Sequence, residues 1–214
     1  MPSRLTVLVA GIVAVVAAAV GLLAVSRSPD AASEPPPPAT KAAAVVPPPA
    51  SARPRAGRVL ELDEAFRELE VIRPSRQKLA DDFSLPMADK TTFRLRDHHG
   101  KTVLINFWAT WCPPCLAEMP AMERLWQQHR DSGFIMVAVS VDSDPAKVAP
   151  FVAEHKLTFP IVLDPRMEVA AQYGVGALPS SFLVDRTGNL AGLAIGPRAW
   201  DNDASHSLVE GLVR

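Results

Sequence analysis

All the thiol chemistry open to this chain is confined to one pentapeptide, Trp111-Cys112-Pro113-Pro114-Cys115, because Cys112 and Cys115 are its two cysteines. The flanking residues set the context of that pentapeptide. Before it runs TVLINFW (102–108), short, β-branched and aromatic, the pattern of a strand buried on both faces. After it, residues 113–130 read as a helix. Cys112 then falls at the helix N-terminus, where free backbone N–H groups and the helix dipole stabilise a thiolate. Cys115 lies about one turn on and on the same face, so the two sulfurs close a small disulfide without moving the chain far. Pro113 and Pro114 are tolerated there because early helical N–H groups lack an intrahelical partner.

Other readings of the pair are weaker. A structural zinc needs four ligands, and no second cysteine pair exists. His98, His99, His129, His155 and His206 are dispersed without ligand spacing, so no metal site and no cofactor is expected. A structural disulfide closing so short a loop constrains little chain entropy. A CxxC between a buried strand and a helix is a redox signature. The formal net charge of −1 gives no electrostatic footprint for nucleic acid.

The chain divides into three regimes. Residues 5–25 are uncharged over about 21 residues, which as a helix spans roughly 30 Å, the thickness of a bilayer core. A cleaved signal peptide is the rival reading, but its apolar region is usually about 7–15 residues. Residues 1–25 are therefore expected to be an N-terminal transmembrane anchor (or an uncleaved signal). Basic residues flank both ends of the apolar run, so the positive-inside rule leaves its orientation open. Residues 26–57 are a Pro/Ala-rich linker. Nine of the 21 prolines lie between Pro29 and Pro54, with almost nothing to bury, so a disordered, semi-rigid spacer is expected.

Residues 58–214 suffice for one compact domain. Val59, Leu62, Phe66 and Leu69 recur at helical spacing, predicting a short amphipathic helix. Residues 83–85 and 92–95 predict two short strands around a polar turn. FIMVAVSV (134–141) predicts a second buried strand, and Asp144-Pro145 a helix start. A strand over 159–164, a helix over 166–173, a hairpin over 181–195 and a final helix from Asp203 complete the pattern. Strands alternating with helices, then a hairpin and a helix, indicate an α/β domain with a mixed sheet covered on both faces.

Two stretches, INFWATWCPPCLAEMP (105–120) and YGVGALPSSFLVDRTGNL (173–190), resemble the signature segments of TlpA/ResA-type membrane-anchored thiol–disulfide oxidoreductases of the thioredoxin superfamily. The resemblance spans residues 78–214. It implies a thioredoxin-like fold, a mixed central sheet flanked by helices, with an N-terminal hairpin near 83–95 and a central helix–strand insertion near 144–163. Residues 58–73 have no counterpart in it.

The resemblance also implies site roles. Cys112 is the attacking thiolate and Cys115 the resolving thiol. Pro179 matches the family's cis-proline beside the disulfide, preceded by Leu178 facing the sulfurs. Glu118 matches an acidic residue three positions after the second cysteine, an i, i+3 neighbour placed to take the proton that Cys115 must lose. Thioredoxin itself carries a buried aspartate on the preceding strand. This chain has Asn106 there, which cannot titrate and gives Glu118 more weight. Trp111 and Pro113 adjoin the attacking sulfur and would line the docking surface for substrate, while Trp108 reads equally as an active-site aromatic or as core.

The implied activity is extracytoplasmic thiol–disulfide exchange. In such proteins it is usually the reduction of specific clients, such as apocytochrome c or a copper-site dithiol, with electrons from a membrane thiol donor. The catalytic domain would face the periplasm or cell exterior, on the far side of the cytoplasmic membrane from the N-terminus. Direction depends on a reduction potential, and superfamily members span roughly −270 to −120 mV. An oxidase or isomerase of the same fold is one alternative. A Cu(I)-binding dithiol carrier is another, since two thiolates suit Cu(I), although no Met/His cluster adjoins them.

Overall fold

The structure, a computed structural model, describes residues 58–214. The expected anchor (1–25) and linker (26–57) lie outside the described residues. Among the described residues no helix is long and apolar enough to cross a membrane.

Two seven-residue strands, β3 (Thr102–Trp108) and β4 (Phe134–Ser140), are buried at every position. They pair in parallel from Thr102↔Phe134 to Trp108↔Ser140. Parallel neighbours need a crossover, supplied by helix α2 (Pro113–His129). Its buried residues, Cys115, Glu118, Met119, Met122, Leu125 and His129, follow helical spacing and form one inward stripe. β5 (Ile161–Leu163) extends the sheet in parallel beyond β4. On the other side of β3, β6 (Ser180–Val184) and β7 (Leu190–Ile195) pair antiparallel, giving the order β5-β4-β3-β6-β7. This mixed five-stranded sheet is the thioredoxin-like fold.

Strand alternation sorts side chains onto two faces. Asn106 and its register partner Ser181 turn toward α2. Phe107 and Phe182 turn the other way, packing with Tyr173 at ring distances of 5.0 to 5.7 Å. A separate hairpin of β1 (Ser84–Pro86) and β2 (Thr92–Arg94) adds Phe83 and Phe93, and Phe83 meets Tyr173 edge-on.

The insertion is a 3-10 turn, Pro145–Lys147, running into α3 (Val148–Glu154) and then β5. Asp144 opens it by accepting the Ala146 N–H. The next helix, α4 (Glu168–Gln172), is shorter than 166–173, and β5 is shorter than 159–164. One residue accounts for much of both. Asp164 turns its buried carboxylate to the N–H groups of Glu168 and Ala170, ending the strand and capping the helix. The closing helix α5 (Asp203–Val213) starts on a reciprocal capping box between Asn202 and Ser205.

Residues 58–73 are part of this same unit. Helix α1 (Leu62–Glu68) packs on α5, and the Leu60 N–H donates to Ser207 Oγ at 2.9 Å. Leu60, not Val59, reaches the core. Val59 is 73 % exposed because the chain is not yet helical there.

Candidate active site

The site grows from the C-terminal end of β3. After Trp108 the chain leaves the sheet, and Asp142, just past β4, fastens the loop. Its buried carboxylate accepts the Thr110 N–H at 3.0 Å, the Thr110 hydroxyl at 2.6 Å and the Ser140 hydroxyl at 2.8 Å. Two residues later Cys112 is the N-cap of α2, and its Sγ accepts the Cys115 N–H at 3.3 Å. Cys112 and Cys115 are joined by a disulfide, with Cα atoms 5.3 Å apart. Cys112 is 4 % exposed and Cys115 fully buried, so the pair presents little surface of its own. Trp111, 65 % exposed, and the exposed Pro113 and Pro114 form the accessible rim.

Pro179 approaches from β6. Register pairs Ser180 with Phe107, so Pro179 lies alongside the end of β3 from which the cysteine loop departs. The Leu178–Pro179 peptide is cis. Leu178 is half-buried and Pro179 buried, with its carbonyl accepting the Gly196 N–H at 2.8 Å.

Glu118 lies one turn beyond Cys115 on the same face of α2 and is 3 % exposed. Three donors surround its carboxylate. Asn106 Nδ2 donates to Oε1 at 2.9 Å, while the Arg198 N–H and the Trp200 Nε1–H each donate to Oε2 at 3.0 Å. Burial pushes its pKa up to about 7, against the pull of those hydrogen bonds and of the Arg198 charge. Trp108 is fully buried core, so of its two sequence readings the packing one describes its position.

Arg198 and Trp200 escape sequence reading because they reach Glu118 across 80 residues or more of chain. The available signal was a tryptophan in the polar loop GPRAWDND, where an aromatic needs a buried place to go. Asp142 escapes similarly, as one acid among several after β4. The histidines are less dispersed than their spacing implies. His129 Nε2 and His206 Nδ1 are 2.9 Å apart, and His206 meets Asp201 at 3.2 Å. Among the described residues no cluster suited to a metal ion occurs.

The chain that carries this disulfide at a strand-to-helix junction is similar to known proteins. Residues 77–192 match the AhpC/TSA family. The thiol-disulfide oxidoreductase ResA of Geobacillus thermodenitrificans is 39 % identical over 127 residues, covering 59 % of this chain and 73 % of that protein. This chain belongs to the ResA-type thiol–disulfide oxidoreductases. ResA of Oceanobacillus iheyensis is 38 % identical over 126 residues, covering 57 % of this chain and 66 % of its own. Among solved structures, a thiol:disulfide interchange protein DsbE from Chlorobium tepidum superposes with a TM-score of 0.61 at 31 % identity, covering 65 % of this chain and 99 % of that one. The ResA-type assignment makes the chain an enzyme that exchanges thiols with disulfides.

Proposed function

We propose that this ResA-type enzyme reduces disulfides of specific client proteins outside the cytoplasm, held to the membrane by residues 1–25 and spaced from it by residues 26–57. Cys112 thiolate attacks a client disulfide, forming a mixed disulfide and releasing one client thiolate. Cys115 gives its proton to Glu118 and attacks the Cys112 sulfur. The second client thiolate leaves, two electrons have passed to the client, and the Cys112–Cys115 disulfide remains. A membrane thiol donor restores the dithiol. Trp111, Pro113 and Leu178 line the docking surface beside Pro179. Apocytochrome c and copper-site dithiols are the client chemistry that the resemblance favours.

One observation carries the reductive direction: the ionisable side chain one turn past Cys115 is an acid, Glu118, and no Lys, Arg or His lies in the first turn of α2. Thiolates gain stability beside Lys, Arg or protonated His and lose it when buried. The helix N-terminus favours the Cys112 thiolate, but both cysteines are almost wholly buried and the first turn of α2 adds no basic residue to that effect. A less stabilised dithiol is the stronger reductant, whereas oxidants such as DsbA owe their high potential to a stabilised reduced form. Equilibrating the full chain with glutathione tests this. A potential toward the thioredoxin value of about −270 mV supports the reading, and one near about −120 mV overturns it. Clients are then identified by trapping the mixed disulfide with Cys115→Ala.

A further inference from the structure

The two oxygens of Glu118 are unequally served. Oε2 accepts from two N–H groups, those of Arg198 and Trp200, and Oε1 accepts from Asn106 alone. An arriving proton settles on the oxygen with fewer donors aimed at it, which is Oε1. The new hydroxyl then confronts the Nδ2 hydrogen of Asn106, donor against donor. The same amide holds the remedy. Its Oδ1 is fully buried with no hydrogen-bond partner, an unusual state for a buried polar atom. Half a turn of the amide brings Oδ1 onto the Oε1 hydroxyl and moves Nδ2 into the unpartnered place that Oδ1 leaves, a cost set against relief of the donor–donor clash. Ser181 Oγ, 3.0 Å from Nδ2, accommodates either orientation because a hydroxyl both donates and accepts.

We propose that Trp200 and Asn106 are positioning residues for Glu118: Trp200 locks Oε2 so that Oε1 receives the proton leaving Cys115, and the Asn106 amide turns over to follow it. This rests on Glu118 being the proton acceptor of the proposed reaction. The proton moves from Cys115 Sγ to Glu118 Oε1 while the sulfur electron pair forms the bond to Cys112 Sγ; the bond from Cys112 to the client sulfur breaks and the client leaves as thiolate, so charge and electrons balance.

The lock is held from both sides. Asn202, two residues past Trp200, caps α5. The Arg198 side chain is tied to the carbonyls of Leu69 at 2.7 Å and Glu70 at 3.3 Å, at the end of α1. Of the charged groups on the surrounding elements, the field of Arg198 acts on Glu118. Asn106 and Ser181 from the sheet and Trp200 from the loop before α5 are neutral, and Cys115 lies one turn back on α2.

NMR of the oxidised full chain in detergent tests the assignment, at pH values well below and well above 7. The Trp200 indole proton should keep a hydrogen-bonded shift at both extremes. The Asn106 amide proton bonded to the carboxylate should lose its downfield shift as Glu118 protonates, with the Glu118 midpoint. The reverse pattern, with the indole moving and the amide still, places the proton on Oε2 and overturns the proposal. In Trp200→Phe the Glu118 midpoint should rise by roughly one to two pH units, a ten- to hundredfold weaker acid. An unchanged midpoint in the folded variant also overturns it. These titrations use the disulfide form without client or donor, so they stand apart from the direction of exchange. If Glu118→Gln resolves mixed disulfides at the wild-type rate, the acceptor reading itself fails.

Discussion

Replacing Glu118 with glutamine should make this protein more stable above neutrality and less able to turn over. The carboxyl has a pKa of about 7 in the fold against an ordinary 4.5, with burial the largest cause. Between those values the folded chain holds a proton that the unfolded chain has released. The unfolded state therefore binds fewer protons, and stability falls as pH rises through this window. At about 1.4 kcal/mol per pH unit, the gap between 4.5 and about 7 amounts to roughly 3 kcal/mol, fully developed above pH 7. A neutral glutamine escapes that penalty. Its amide oxygen accepts from Arg198 and Trp200, and its NH2 meets Asn106 with the Asn106 amide turned over. Urea unfolding of the oxidised wild type and Glu118→Gln, repeated across pH, reads the difference directly. The variant should match the wild type within about 1 kcal/mol below pH 4.5 and exceed it by roughly 3 kcal/mol above pH 7. A difference that is flat with pH, or a variant less stable at alkaline pH, refutes the view that burial of an ionisable carboxylate dominates here. Turnover with insulin as a general disulfide substrate should fall in the same variant.

Three further outcomes follow from particular contacts. Asp142→Ala leaves the Thr110 N–H, Thr110 hydroxyl and Ser140 hydroxyl without their acceptor, and should lower unfolding free energy by about 2–4 kcal/mol and slow thiol exchange together; equal exchange rates would show that Thr110 does not position the cysteine loop. Gly192→Ala places a Cβ 2.5 Å from Val71 Cγ1 and 3.0 Å from Phe66 Cε1, so denaturant melts should show a loss of about 1–3 kcal/mol with active-site chemistry intact. Burial, reinforced by His206, lowers the His129 pKa below its ordinary 6.5. The folded state thus resists a proton that the unfolded state takes up, and stability falls as pH drops from 6.5 through the lower folded value. His129→Gln should flatten that acid limb in thermal melts.

How much of this is legible in the sequence depends on the distance over which each residue finds its partner. β3, β4 and β7 are apolar runs with turn residues at their ends, so local pattern marks them. The same holds for α5, where Asn202 and Ser205 sit in sequence as a cap. β5 reads too long at its far end because periodicity cannot show that Asp164 spends its carboxylate on α4, and at its near end the proline at 160 is a stop already written in the sequence. In the site, Cys112, Cys115 and Glu118 fall on one helix and are recoverable from spacing and family resemblance. The partners of Glu118 come from β3 and from the loop before α5, and His129 meets His206 across 77 residues. Those pairings exist because α2 packs both on the sheet and against the segment that carries α5, which no local window contains. Residues 58–73 had no reading beyond a helix. The carbonyls of Leu69 and Glu70 holding Arg198 give them a place behind the active site.

The segment leading into β1 and β2 has one more consequence. Ile72 bridges Leu193 and Leu79 bridges Asn189 along the outer side of β7, while Met87 bridges Val162 along the outer side of β5. A single stretch of some fifteen residues thus hems both selvedges of the sheet, the places where an open strand recruits strands from other molecules. For an enzyme that exchanges thiols with disulfides, each disulfide-bearing client also brings backbone of its own that could pair with an open strand. With both borders bridged, the sheet offers fewer open backbone groups for such pairing.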